Sequence, residues 1–484
     1  MTRRRHLLDG TAWGLLAEAL AVPTGLATVA FLTRALGVAD YGRYTLTVGF
    51  IMVLQGGITS LLSRASIKFV SQAEDWRPVG TSVLRLHLGI GLALALAITA
   101  LAPAIAALME EPSLEGFLRL LAWVLPAESV AQAHLHLLVA RSDYRRRATA
   151  RAVFWGSRII LIVGLVAAGL GIHGALLGLL GASLATVIVA RTAVQPSLLG
   201  PGAPVRPLLA FAIPLFVSGT ALVLSRRLDL FALKLLGGSV GDVGLYASAQ
   251  TLAFLPGMLN TAFAPLLLAS LNQAYHTTGR GEAAALGRDF MRGAFWLLPF
   301  AGLGAGAAAE VCAIAYGQEY AAAGAALAFL VFAGVATTLG ATVSAILVVS
   351  NDVRAILWTA LIPLVVAGLC FPVLIPRWGI PGAAASTLAG SITGLALGLA
   401  VAYRRWGVAP PAATVARAAC LAAAAFAAAR ASVGAGAGGV GVLVLLALAI
   451  PVLFLLLGES SPAELAGVRR MLAHRLGRDQ PGRS

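Results

Sequence analysis

Lysine is nearly missing from this chain. Of its 35 basic residues only Lys68 and Lys234 are lysines, and charged side chains of all kinds make up 11% of 484 residues. A soluble domain carries about a quarter charged residues, so a water-covered globule of this size is excluded. Cysteine is as scarce: Cys312, Cys370 and Cys420 lie far apart in apolar runs with no C-x-x-C spacing, which excludes a disulfide framework and a cysteine zinc site. No metal and no cofactor is expected.

What is abundant is apolar, 59% of the chain. The apolar runs suit helices of about twenty residues and lack the short in/out alternation of an outer-membrane barrel. Backbone groups in lipid must bond within their own segment, so the predicted fold class is an all-α polytopic membrane protein. Breaks at charged or Gly/Pro clusters give about fourteen transmembrane helices, near 11–36, 43–63, 80–107, 116–140, 152–170, 173–195, 207–236, 243–270, 290–313, 322–349, 355–376, 380–403, 412–431 and 439–457.

A net charge of +15 in a soluble protein would point to nucleic acid; the placement of the charges argues against that partner here. One set of alternate loops holds Arg3 to Arg5, the cluster Arg141, Arg145, Arg146, Arg147 and Arg151, and most other loop arginines. The opposite set holds Arg34, Arg43, Arg119, Arg377 and Arg430 beside the acids Glu110, Glu111 and Glu115. The positive-inside rule then places both termini in the cytoplasm. In the tail, Ser461 to Glu464 reads as a capping box opening an amphipathic helix, competing with a plain solvated tail.

One motif occurs twice, Asp40-Tyr41-Gly42-Arg43-Tyr44 and Asp242-Val243-Gly244-Leu245-Tyr246. Gly171-Ile172-His173-Gly174 pairs with Gly379-Ile380-Pro381-Gly382, and Ser142-Asp143 with Asn351-Asp352, at nearly the same offset. The chain therefore reads as two copies of a six-helix unit: residues 1–206, residues 207–403, helices 13 and 14 over 404–457, and a cytoplasmic tail over 458–484. The D-x-G-x-Y copies read as turns, with Tyr44 and Tyr246 in an interfacial aromatic belt. Gly174, Gly178 and Ala182, like Gly390, Gly394 and Gly398, form small faces for close helix packing.

Charges inside spans cost about 3 kcal/mol each at the bilayer centre and mark cavities or partners. Glu18 falls in the inner half of the first span, Glu128 near the middle of the fourth, Arg158 in the inner part of the fifth, and Arg226, Arg227 and Asp229 near the middle of the seventh. Arg226 and Asp229 share a helical face while Arg227 projects about 100° away. At most one arginine is neutralised, and the surplus suits a diphosphate; the competing reading is a structural ion pair with the second arginine snorkelling outward. Glu18 and Glu128 are candidate proton or sodium sites, or partners of Arg158. His134 and His136 read as satisfied interfacial histidines, and Gln55, Gln250 and Asn260 as interhelical glue.

The run Arg34-Ala-Leu-Gly-Val-Ala-Asp-Tyr-Gly-Arg-Tyr44, with Arg64, Asp229, Gly238 to Tyr246 and Gly379 to Ala383, resembles the polysaccharide transporter family of bacterial lipid-linked oligosaccharide flippases. The resemblance implies the multidrug/oligosaccharidyl-lipid/polysaccharide exporter fold: two pseudo-symmetric six-helix lobes around a central cavity, with two C-terminal helices and alternating access. It implies a flippase for an undecaprenyl-diphosphate-linked oligosaccharide, with membrane lipids and other polysaccharide-assembly proteins as partners. In that reading Arg226 and Arg227 hold the diphosphate, Arg158 receives it, and Glu18, Glu128 and Asp229 line the cavity or couple ions. The alternatives are a cation-coupled small-molecule exporter on the same fold, a membrane glycosyltransferase or ligase, for which every outer loop is too short, and a scaffold.

Overall fold

The computed structural model describes residues 17–225, 227–350, 352–433 and 437–458. Arg226, Asn351 and the tail element from Ser461 lie outside the described residues. Among the described residues the regular structure is helical throughout, the outcome expected of backbone that must bond internally in lipid.

The first unit contains α1 (Ala21–Gln72), α2 (Trp76–Leu108), α3 (Leu114–Ala122), α4 (Val124–Ala140), α5 (Tyr144–Leu165) and α6 (Gly171–Ala193). At 52 residues α1 would span about 78 Å if straight, more than twice a bilayer core. Its break is Gly37, whose φ of 75° and ψ of 176° are non-helical. Glu18 bonds Arg151 and Tyr44 meets Arg158. Those two arginines stand only about 10 Å apart along α5, so the two arms of α1 fold back at Gly37 and count as two spans.

The second unit follows as α7 (Arg206–Ser225), α8 (Leu228–Leu235), α9 (Val240–Ala253), α10 (Leu255–Thr277), α11 (Arg280–Phe295), α12 (Leu297–Gly306), α13 (Ala308–Tyr316), α14 (Gly324–Val349), α15 (Val353–Trp378) and α16 (Ile380–Trp406). Helices α17 (Ala412–Ser432) and α18 (Ala437–Leu456) follow as the last described elements. By length and hydropathy eight of the described helices qualify to cross a membrane, or nine with the pair bent by 77° between Gly306 and Ala308. Two of the eight are the double-length stretches containing Gly37 and Gly169, and pieces broken near Trp123, Arg227, Phe254 and Trp296 occupy the other expected spans.

Positions matched between the two expected units share backbone geometry. Gly171 has φ 52°, ψ −133° and Gly379 has φ 58°, ψ −128°, a left-handed turn that a side chain resists. Asp143 and Asp352 each cap the helix after them, accepting from Arg146 N at 3.2 Å and Ala355 N at 3.1 Å. The small faces do the packing foreseen for them: a Cβ on Gly178 would come within 2.8 Å of the Ile162 backbone, and one on Gly390 within 2.6 Å of Pro363 O. Gly302 and Gly306 seat α17 against α12, and Trp296 stacks on Phe454 at 4.7 Å, so the last two helices attach to the second lobe. Ile160, Ile188, Leu369 and Leu445 are exposed on the apolar outside, where lipid replaces water.

Candidate functional site

The two D-x-G-x-Y motifs meet each other. A Cβ on Gly42 would overlap the carbonyl oxygen of Val240, and one on Gly244 would overlap that of Val38. Val38 and Val240 are 202 positions apart, as are Gly42 and Gly244, so the contact is self-complementary in the manner of a two-fold interface. Glycine is needed because the helices approach backbone to backbone. Around this contact Arg34 donates to Ile314 O at 2.8 Å, and the Tyr41 and Tyr320 rings meet edge-on at 6.2 Å. The lobes are closed at this end.

The acids of the motifs organise helix starts. Asp242 forms a reciprocal capping box with Ser239. Asp40 instead holds Arg43 at 2.6 Å, and Arg43 reaches Glu111 at 3.0 Å. Burial pushes the Glu111 carboxyl up, but the hydrogen bonds from Ser113 and Arg43 and the charges of Arg43 and Lys234 leave it below its usual value.

The motif tyrosines are not an interfacial belt. Tyr44 and Tyr246 are buried: each lies about 200° around its helix from the motif glycine, so with the glycine against the other lobe the tyrosine turns into its own. Tyr246 donates to Asp229 Oδ2 at 2.6 Å. The same carboxylate accepts from Gln250 Nε2 at 2.9 Å and Thr387 Oγ1 at 3.4 Å, and from the Leu230 N–H at 2.8 Å. Asp229 lies in the first turn of α8, just after the helix break at Arg227, where free amides favour an anion. Tyr246 and Thr387 could not be linked to Asp229 by sequence spacing, because they arrive from α9 and α16. Gln250, expected as interhelical glue, is glue to a charge.

Arg158 and Arg227 come to one place. The rings of Tyr41 and Tyr44 stack at 6.2 Å. Arg158 meets the Tyr44 phenol from α5, and Arg227 lies within electrostatic reach of Tyr41 from the second lobe. Arg227 Nη2 contacts Met52 Sδ at 3.3 Å, a weak acceptor. Arg158 Nε is buried without a partner, and its guanidinium lies over Trp155 at 5.5 Å. Among the described residues neither arginine has a carboxylate within ion-pair distance. The helix that carries Arg158 begins before the expected span, and this sets which residue it meets. The arginine-rich stretch from Tyr144 is helical, capped by Asp143, and this lifts Arg158 about 21 Å from the start of α5.

Glu18 pairs with Arg151, not Arg158: Nε and Nη2 grip its two oxygens at 3.0 and 3.1 Å, with Arg147 at 3.7 Å. Glu128 accepts from Gln132 at 2.8 Å and Ser183 at 2.8 Å, both neutral. Gln55 is half-buried, with both side-chain polar atoms buried and unpaired. The histidines expected to be satisfied are each left short at one nitrogen. His134 Nε2, His136 Nδ1 and both nitrogens of His87 are buried without partners. His87, which carries no sequence signal, stands 5.5 Å from His136.

The model of the family described as "Polysaccharide biosynthesis protein" matches residues 7–267. The solved structure of lipid II flippase MurJ in an inward closed conformation is similar over 91% of this chain and 98% of its own, at 12% identity and a TM-score of 0.77. A MOP superfamily transporter from Pyrococcus furiosus is similar over 83% and 95%, at 17% identity and a TM-score of 0.59. An inward-facing multidrug resistance MATE family transporter is similar over 82% and 94%, at 17% identity and a TM-score of 0.61. No curated protein matches. The family model covers more than half of the chain, and the helices take the arrangement of these solved structures: the chain belongs to the polysaccharide biosynthesis protein family, as a multi-pass membrane protein.

Proposed function

We propose that this protein moves an undecaprenyl-diphosphate-linked oligosaccharide from the cytoplasmic to the periplasmic leaflet of the bacterial inner membrane by alternating access, with no bond made or broken. The observation that carries the reading is the pair Arg158 and Arg227. One from each lobe, they flank Tyr41 and Tyr44 where the lobes meet, with no carboxylate partner among the described residues. A diphosphate offers oxygens that match two guanidinium forks, and Arg226 is the residue before Arg227 in the sequence. The moving units are residues 1–206 and 207–403, hinged so that the Gly42–Gly244 contact opens to the periplasm. Glu128 and Asp229 serve as cavity or ion-coupling carboxylates, while the double grip of Arg151 makes Glu18 a tie between the first and fifth spans.

A small-molecule cation exporter on the same fold would need carboxylates open to its cargo. Glu18 is neutralised by two arginines and Asp229 is held by four hydrogen-bond donors, which favours the anionic cargo. The test is export of lipid-linked glycan by Arg158→Gln, Arg227→Gln and Arg226→Gln/Arg227→Gln variants present at normal levels in the membrane. Each lost charge-assisted contact is expected to lower export by about tenfold or more. Wild-type export by the double variant would overturn the reading.

A further inference from the structure

Three buried histidines in the first lobe play no part in the mechanism proposed above. His87 comes from α2, and His134 and His136 from α4; they are 0%, 1% and 7% exposed. His134 Nδ1 lies 2.8 Å from Val130 O, but His134 Nε2, His136 Nδ1 and both nitrogens of His87 have no partner, and neither does Ser129 Oγ. An unpaired buried polar atom costs about 1–3 kcal/mol. Leucine or phenylalanine would fill this core more cheaply, so the imidazoles answer to something other than packing. The His87 and His136 ring centres are 5.5 Å apart and the rings are tilted by 52°, close enough that a turn of either ring would bring two nitrogens within about 3 Å, the length of one hydrogen bond. A single bound proton converts the pair to an imidazolium donating to an imidazole. No other reactant is needed, only a proton from water.

The charged groups that face these rings set the direction. Arg147 at the start of α5 faces His136, and Arg191 near the end of α6 faces His134. Glu128, on the same helix, is turned to Ser183 and Gln132. Two guanidinium groups oppose a positive charge on the cluster in this closed arrangement. Arg147 also stands 3.7 Å from Glu18, on the arm of the first span that leads to Gly37 and the closed lobe contact.

We propose that His87 and His136, with His134 beside them, form a proton-binding site that drives the lobes: the proton leaves in the closed arrangement seen here and is held when the lobes part at the Gly42–Gly244 end. A proton on the pair pushes Arg147, and through Glu18 it loosens the first span. The proposal rests on the alternating-access reading but on no assumption about cargo.

The experiment measures the gate without substrate. Spin labels are placed on cysteines at Ser113 and Leu235, one on each lobe at the motif end, with Cys312, Cys370 and Cys420 changed to Ala, in the full chain in lipid nanodiscs. Lowering the pH from about 8 to about 5.5, across the histidine range, is expected to shift the distance distribution toward longer separations. His87→Gln/His136→Gln is expected to keep the short distance at both pH values. Either single variant, each expected to lose most of the shift, replaces the double variant if that one does not fold. A wild-type distance indifferent to pH, or a variant shift that superposes on the wild type, overturns the proposal. Glycan export failing while the pH-driven shift persists would count against the cargo and leave the proton site standing.

Discussion

Tyr246 donates to the carboxylate of Asp229 at 2.6 Å, whereas Tyr44, the same position of the first D-x-G-x-Y copy, stands beside the guanidinium of Arg158. The duplicated backbone thus carries one residue type into two lobes and meets an anion in one and a cation in the other. Removing the Tyr246 hydroxyl deprives a buried carboxylate of a donor, a loss of about 1–3 kcal/mol. Tyr246→Phe should therefore lower the thermal midpoint in detergent. Adding Asp229→Asn should cost less than the sum of the two single changes, because the second no longer breaks the same bond. Additive effects would show that the hydrogen bond contributes nothing.

The contact of Gly42 with Val240 and of Gly244 with Val38 makes the next expectation geometric. Cysteines at Val38 and Val240 should crosslink in the closed state, stop transport, and release it on reduction. Free crosslinking with undiminished transport would mean that the lobes do not part there, and a static groove would replace alternating access.

Acid should weaken the clasp of Asp40, Arg43 and Glu111. Glu111 sits below its usual carboxylate range in the folded protein, so its contribution is fully present above the unfolded value, about 4.3, and is lost as pH falls through the depressed folded value. Glu111→Gln should remove this part of the acid sensitivity while lowering stability near neutral pH by roughly 1 kcal/mol. An unchanged acid unfolding profile in the variant would assign the sensitivity elsewhere.

Orientation is checked by labelling. A cysteine at Ser113 should react with a membrane-impermeant thiol reagent from the periplasm, and one at Ser142 only from the cytoplasm. Reversed reactivity would invert the direction of transport.

Membrane residence and the helical class were legible in the sequence, because hydropathy over about twenty residues and glycines that need special φ angles are local properties. Gly171 and Gly379 share a backbone turn that their neighbours alone demand. Charged residues within spans were legible as costly, but their partners were not. Glu18 could be matched with Arg158 on paper, and the helical start of α5 moved Arg158 to Tyr44 and left Arg151 in its place. Asp229 found Tyr246, Gln250 and Thr387 on two other helices, and His87 found His136. Side-chain pairing inside a lobe depends on which faces of helices far apart in sequence are pressed together. In a bilayer that choice is made by close packing at small residues such as Gly42, Gly178, Gly244 and Gly390, so the spans follow from sequence and the pairs within the site from tertiary contact.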